Sequence, residues 1–242
     1  RHPGPFAKCS AAPLRYRLPA PRLDEHGTAL RNEPTRRPAP AGDEPPGELP
    51  LAGVKILDLF WVIAGPAATR MLADYGATVV RVESAKRLDT LRLSPPWQFA
   101  YPHPEGAAGF QSANANKLGI TLDLDSQAGR AVALDLVRWA DVVTESFAPG
   151  VMDAWKLGWD DLRAVNPALI MLSSCIMGQT GPWRNFAGFG RLAASLAGLQ
   201  SLASWPGRPP AGPFGAYTDA IASRYNAVAI LAALEHRART GE

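Results

Sequence analysis

Short apolar blocks recur along the middle of the chain, and each is followed by a stretch whose apolar residues fall at helical spacing. VKILDL at 54–59 and TVVRV at 78–82 have the length and β-branched content of buried strands. Between them Ala67, Met71, Leu72 and Tyr75 share one helical face, which predicts a helix over 67–75. Pro66 suits a first helical position, where its missing N–H costs nothing, and Gly76 suits the position just past the end. Downstream the pattern predicts strands at 120–122, 142–145 and 169–173 and helices at 127–139, 159–165 and 220–239. Ser126 is placed to cap the helix at 127, Asp160 lies in the first turn of the next, and Asn166-Pro167 ends it. Strands and helices alternating at this spacing imply an α/β fold, an open and mostly parallel sheet built from Rossmann-like crossover units. Ligands of such sheets bind beyond the carboxyl ends of the strands, which here means the turn from Trp61 to Pro66.

Composition narrows the picture. The chain has 242 residues, 47% of them hydrophobic, enough for one large domain or two small ones. A net charge of +3 is spread along the chain, with a modest cluster at Arg31, Arg36 and Arg37, so no nucleic-acid footprint is indicated. The apolar run at 59–69 is too short to span a bilayer and contains Gly-Pro, so no membrane segment is predicted. Cys9 and Cys175 match no metal or redox spacing, which favours free thiols in a reducing compartment and a cytoplasmic protein. Residues 34–50 are rich in proline and read as a semi-rigid linker.

The turn itself is unusual. VIAGP at 62–66 has one glycine and no lysine, so it is neither a G-x-G-x-x-G dinucleotide loop nor a phosphate loop. Nicotinamide and ATP chemistry are therefore not expected, and neither flavin nor metal is expected as a cofactor. Together, LAGVKILDL, VIAGPAATRMLADYGATVVRVE and the long block from NANKLGITLDLD through ALIMLSSCIMGQTGP resemble the class III CoA-transferases, which include formyl-CoA transferase, carnitine CoA-transferase and acyl-CoA racemases. The resemblance covers about residues 50–242. Residues 1–33, with PAPRLDEH, resemble the carboxyl-terminal tail of the same family. A tail before a head implies a piece of a tandem protein, with 51–242 as the amino-terminal part of a large domain truncated on its carboxyl-terminal side. An unrelated extension is the alternative for residues 1–33.

The resemblance implies coenzyme A as substrate, acyl-CoA and carboxylic acids as small-molecule partners, and a second copy, in tandem or as an interlocked dimer. It places CoA against the backbone of Val62, Ile63 and Ala64, which otherwise read as core residues at a strand end. Arg81 and Lys117 match cations that meet phosphates, Asn116 an asparagine that contacts CoA, and Lys156 is a further candidate cation. Asn114 reads as a residue that holds its loop. In GQTGP, glycines Gly178 and Gly181 would admit a thioester and Gln179 would donate to an oxyanion; the plain alternative is a turn. Trp183, Phe186 and Phe189 hint at an apolar wall.

The family's transferases use an aspartate that attacks the acyl carbonyl, in a segment resembling G-F-D. Here Gly188-Phe189-Gly190 puts glycine in its place, and no Asp or Glu occurs between Leu162 and Thr218. The next carboxylate, Asp219, reads as the cap of the following helix or, alternatively, as a nucleophile. Racemase chemistry would need a histidine, and none lies between His103 and His236. Three readings stay open: a CoA-binding or scaffold half whose reacting carboxylate lies in another copy, a structural partner without CoA, and an acyl-CoA enzyme of different mechanism.

Overall fold

The computed structural model describes residues 18–32 and 49–242. Five strands, β1 (Lys55–Leu59), β2 (Thr78–Glu83), β3 (Leu118–Thr121), β4 (Val142–Glu145) and β5 (Ile170–Ser173), form one sheet in the order β3-β2-β1-β4-β5. Every pairing is parallel. The helices are α1 (Gly27–Asn32), α2 (Ala64–Asp74), α3 (Ala108–Asn114), α4 (Gln127–Trp139), α5 (Val151–Ala154), α6 (Trp159–Val165), α7 (Gly190–Leu196), α8 (Leu199–Leu202) and α9 (Tyr217–Thr240).

Period-two alternation divides the strand residues between two cores. Ile56, Val79 and Val142 pack on Ala68, Leu72 and Ala73 of α2 and on Ala227 and Ile230 of α9. Their neighbours Leu57, Leu59, Val80, Val82 and Val143 point to the other face, against Ala133, Leu136 and Val137 of α4 and Leu162 of α6. Covering both faces with helices is what an all-parallel sheet requires. It also explains why the strands read as continuous apolar runs. The chain leaves β1 toward β2 and β3 on one side, then crosses back through α4 to β4 on the other. The carboxyl ends of β1 and β4 therefore flank a topological switch point.

The structure shifts several predicted boundaries: β3 runs from Leu118 to Thr121 and not over 120–122, and α2 and α9 both start earlier than 67 and 220. α2 begins at Ala64, so Pro66 is its third residue and not its first; an N–H has no intrahelical acceptor anywhere in the first turn, which makes proline equally tolerable there. α9 begins at Tyr217, with Ala216 as its N-cap and no side-chain capping bond. Asp219 is thus the third helical residue, and its reading as the cap is corrected. Ser126 does cap α4, accepting a hydrogen bond from the Gly129 N–H at 3.0 Å.

Residues 18–32 lie along β3, the edge strand. The N–H of Thr121 donates to Asp24 Oδ1 at 2.7 Å, that of Gly119 to His26 Nδ1 at 3.0 Å, and that of His26 to the Gly119 carbonyl at 2.9 Å. These bonds occupy ladder groups that an open edge would leave free. Leu30 and Ala20 are buried beneath the segment. Most of the proline-rich stretch at 34–50 lies outside the described residues.

Asp24→Ala should leave the Thr121 N–H without an acceptor and cost about 1–3 kcal/mol in urea unfolding. Asp24→Asn keeps an acceptor and loses only the exposed pair with Arg31, so its cost should stay below about 1 kcal/mol. Faster amide exchange at Thr121 in the alanine variant alone would verify the assignment.

Candidate functional site

Under the switch point lies a buried network of charges. Asp58, on the α2 face of β1, is fully buried, and its carboxylate has four partners. Oδ1 accepts from the Phe60 N–H at 3.0 Å and the Thr144 hydroxyl at 3.1 Å; Oδ2 accepts from the Thr69 hydroxyl at 2.7 Å and Lys117 Nζ at 2.8 Å. Lys117 uses all three ammonium protons, donating also to the Pro66 carbonyl at 2.8 Å and Asn114 Oδ1 at 2.9 Å. Burial works against the charge on Asp58, but Lys117 and Arg81 outweigh it and hold the carboxyl below its ordinary value. Burial pushes the Lys117 ammonium down to about 8 despite Asp58, so it remains charged at neutral pH.

A second ion pair supports the turn from its other side. Arg81 donates to the Phe60 carbonyl at 2.8 Å and pairs with Asp89, both side chains being fully buried. The Asp89 carboxylate in turn accepts the Val62 N–H at 3.1 Å. Val62 has φ +66°, a left-handed conformation that costs a β-branched residue about 1–2 kcal/mol or more. The bond to Asp89 is one of the contacts that hold it there. Arg92 closes the layer: its guanidinium takes Glu83 in a fork at 2.9 and 2.7 Å, reaches the Pro21 carbonyl at 3.0 Å, and stacks 3.6 Å from the Phe110 ring.

The turn emerges half-buried at Trp61, Val62, Ile63 and Ala64. The Trp61 N–H donates to Ser146 Oγ at 3.0 Å, which ties the end of β1 to the end of β4 across the crevice. Trp61 meets Phe147 edge-on at 6.4 Å, and Phe147 meets Trp155 at 5.1 Å. Arg87, exposed, lies over the Trp61 ring at 5.7 Å. Beyond β5, Gln179 donates to Glu145 Oε1 at 3.2 Å, beside a cleft of about 210 Å³ reached also by Ser173 and Met171. Burial raises the Glu145 carboxyl, and burial with Glu145 nearby raises the Cys175 thiol. A second cleft, about 230 Å³, opens where Gly190 and Arg191 of α7 face Tyr217 and Thr218 of α9.

The sequence-derived candidates therefore separate. Val62, Ile63 and Ala64 do form the turn over the switch point. Arg81 and Lys117 have no exposed side-chain surface, because Asp89 and Asp58 draw them inside, so neither presents a cation to a ligand in this conformation. Asn116 is buried too, with φ +64°; it exchanges hydrogen bonds with Leu18 and donates to Asp74 at 2.6 Å. Asn114 holds its loop by donating to the Phe110 carbonyl and accepting from Lys117. Lys156 is exposed just past α5. Gly178 and Gly181 are exposed at positive φ, and the Gln179 amide already faces Glu145. Sequence reasoning missed Asp58, Asp89, Phe147 and Arg87. An aspartate inside an apolar strand, as at Asp58, was the one signal available. Among the described residues no three His, Cys, Asp or Glu side chains are grouped to hold a metal ion, and no helix is long and apolar enough to cross a membrane.

Comparison with known proteins agrees with this architecture. The family model described as CoA-transferase family III matches residues 51–242. The succinyl-CoA–L-malate CoA-transferase alpha subunit of Chloroflexus aurantiacus is 36% identical over 93% of this chain and 52% of its own length. The succinate–glutarate CoA-transferase of Agrobacterium fabrum is 37% identical over 83% of this chain and 50% of its own. Among solved structures, a CAIB/BAIF family protein from Brucella suis superposes with a TM-score of 0.75 at 36% identity, covering 80% of this chain and 51% of that one. The chain spans about half the length of the curated relatives it matches.

Lys117→Met should strand Asp58 in the interior and cost about 3–5 kcal/mol in urea unfolding at pH 7, whereas Lys117→Met with Asp58→Asn should recover most of that loss. The pH dependence has a definite sign. The depressed Asp58 carboxyl contributes stability that is present above its ordinary 3.8 and is lost as pH falls through the lower folded value, so the double variant should lose less stability in acid. Lys117 releases its proton at about 8 when folded and 10.5 when unfolded, so its contribution to native stability should rise with pH across that interval.

Proposed function

The chain belongs to CoA-transferase family III, and on that premise we propose that the protein moves CoA between an acyl-CoA thioester and a carboxylic acid, this chain furnishing a CoA-binding half. The observation that carries the reading is the strained, half-buried turn from Trp61 to Ala64, held over the switch point of a parallel sheet where such folds take their ligands. A thioester laid along Val62, Ile63 and Ala64 meets backbone and small apolar groups. Arg87, stacked on Trp61 and exposed, is the cation at that turn with its guanidinium facing outward, and it takes the phosphate role in place of the buried Arg81 and Lys117. Gly178, Gln179 and Gly181 line the acyl end. Succinyl-CoA, the donor named for several relatives, is the first thioester to assay.

Assembly with another copy follows from the same reading. Relatives are named as alpha and beta subunits, and this chain exposes Phe189, Trp205, Phe214 and Tyr225, aromatic surface suited to cover by a second copy, tandem or interlocked. Residues 18–32 would then be the tail of a preceding copy, resting on β3. We place the protein in the cytoplasm, where CoA thioesters and a free Cys175 thiol are both at home.

A second reading has its own support. Gly190 carries no carboxylate and the two motif cations are internal, as in a scaffold that does not bind CoA. Calorimetric titration of the whole protein with CoA separates the two: saturable heat supports the binding half, and none supports the scaffold. In the binding case Arg87→Ala should weaken CoA about tenfold, about 1.4 kcal/mol, and flatten the salt dependence. An unchanged affinity would remove Arg87 from the site.

A further inference from the structure

The cleft of about 230 Å³ between α7 and α9 carries a single charge on its wall. Arg191 is the one ionised side chain among the described residues that line it; Gln200, Tyr217 and Thr218 bring neutral polar groups, and the rest is glycine, alanine and proline. The cleft lies at the end of the sheet where the loop of Gly178 to Gly181 begins. α9 is tied there by Asn226, which donates to Ser174 just past β5 at 3.2 Å. On the α7 side a Cβ built on Gly188 would stand 3.3 Å from Ile176, two residues before Gly178. The Thr218 hydroxyl joins the two helices by donating to the Gly190 carbonyl at 2.6 Å.

Arg191 has no structural task that explains it. Its backbone carbonyl accepts from Ser195, but its guanidinium has no hydrogen bond or ion pair among the described residues, and neither has the Gln200 amide. Asp219 does not neutralise it. The Asp219 carboxylate lies against Gly190, where burial raises its pKa and no cation lowers it. An unspent guanidinium therefore borders a concave space. Its parallel N–H donors match the two oxygens of a carboxylate, the partner that a planar fork holds best. The volume is below the roughly 300–1,000 Å³ of sites for drug-sized ligands, which limits the occupant to a short chain.

We propose that Arg191 reads the far carboxylate of a short dicarboxylic acid, so that this cleft selects diacids of succinate length over monocarboxylic acids of the same chain. The proposal rests on the CoA-transfer reading, for which it names the class of acid. The near carboxyl of the acid lies toward the loop of Gly178 and Gly181, and the far one reaches Arg191, with the Gln200 amide as a further donor. A monocarboxylic acid leaves the guanidinium facing a methyl group. It forfeits a charge-assisted hydrogen bond at a position that binding has already taken out of water. Because Arg191 is exposed in the open cleft, the bond is worth the lower end of its range, about tenfold in affinity.

The test titrates the whole protein calorimetrically, with and without saturating CoA, using succinate and butyrate, which share a chain length and differ by one carboxylate. Succinate should bind at least about tenfold more tightly than butyrate. Arg191→Gln should bring succinate down to the level of butyrate, and Arg191→Lys, which keeps the charge and loses the fork, should fall between, with melting curves that overlay in all three proteins. Butyrate binding as tightly as succinate, an Arg191→Gln variant that weakens both acids equally, or no heat from either acid would each overturn the diacid site. Failure of the underlying reading looks different: CoA gives no heat, while succinate binding that depends on Arg191 persists.

Discussion

Everything above the sheet depends on keeping Asp58 ionised inside the protein. An unpaired carboxylate there would cost several kcal/mol of desolvation. Its four hydrogen bonds come from four separate places: the chain just past β1, α2, β4 and the loop before β3. The pair with Lys117 adds little net stability, since desolvation of two ions offsets much of their attraction. What it adds is position. Through Lys117 the Pro66 carbonyl in the first turn of α2 is fixed relative to β1, and the residues between Phe60 and Pro66 have little freedom left.

The turn inherits both the constraint and the strain. Its ends are pinned by Asp58 and Lys117, its middle by Asp89 through the Val62 N–H, and its outer edge by Ser146 from β4. A loop held this way keeps a valine in a conformation it would otherwise leave, with the surrounding contacts over-determining it. Residues 18–32 add to the same layer, because Arg92 grips the Pro21 carbonyl while it holds Glu83, and Asn116 ties Leu18 to Asp74. The backbone of the turn and the buried charges beneath it thus form one tightly linked layer. A ligand on the turn would meet a surface already organised, which limits the ordering cost of association.

Local physics explains what could be read in advance. β4, α4 and α6 were legible to the residue because their apolar periodicity and their end signals, Ser126 and Asn166-Pro167, agree. The turn was legible as a crossover because a strand, a proline and a helix define it. The roles of Arg81 and Lys117 were not, since a cation next to a motif has the same letters whether it faces a phosphate or an internal carboxylate. Only the sheet order, which brings Lys117 beside Asp58 from 59 residues away, decides it. Asp219 failed for a similar reason. An aspartate before an apolar helix reads as a cap, but the helix starts earlier, and that places the side chain against α7.

Gly190 and Asp219 are far apart in sequence and neighbours in space. Read along the chain, glycine at 190 removes a functional group, and the simplest inference is loss of chemistry. In three dimensions the two positions compete for one volume, with a Cβ at 190 and an oxygen of Asp219 only 1.9 Å apart. A side chain at 190 would require the Asp219 carboxylate to rotate away. A carboxylate from α9 arrives on a long, well-packed helix whose Asn226 bonds Ser174 just past β5 at 3.2 Å and whose Arg237 pairs with Asp141 just before β4 at 2.7 Å. Its reach is therefore set by the sheet and less by the exposed loop from Gly181 to Phe189. A carboxylate so mounted is held by regular structure.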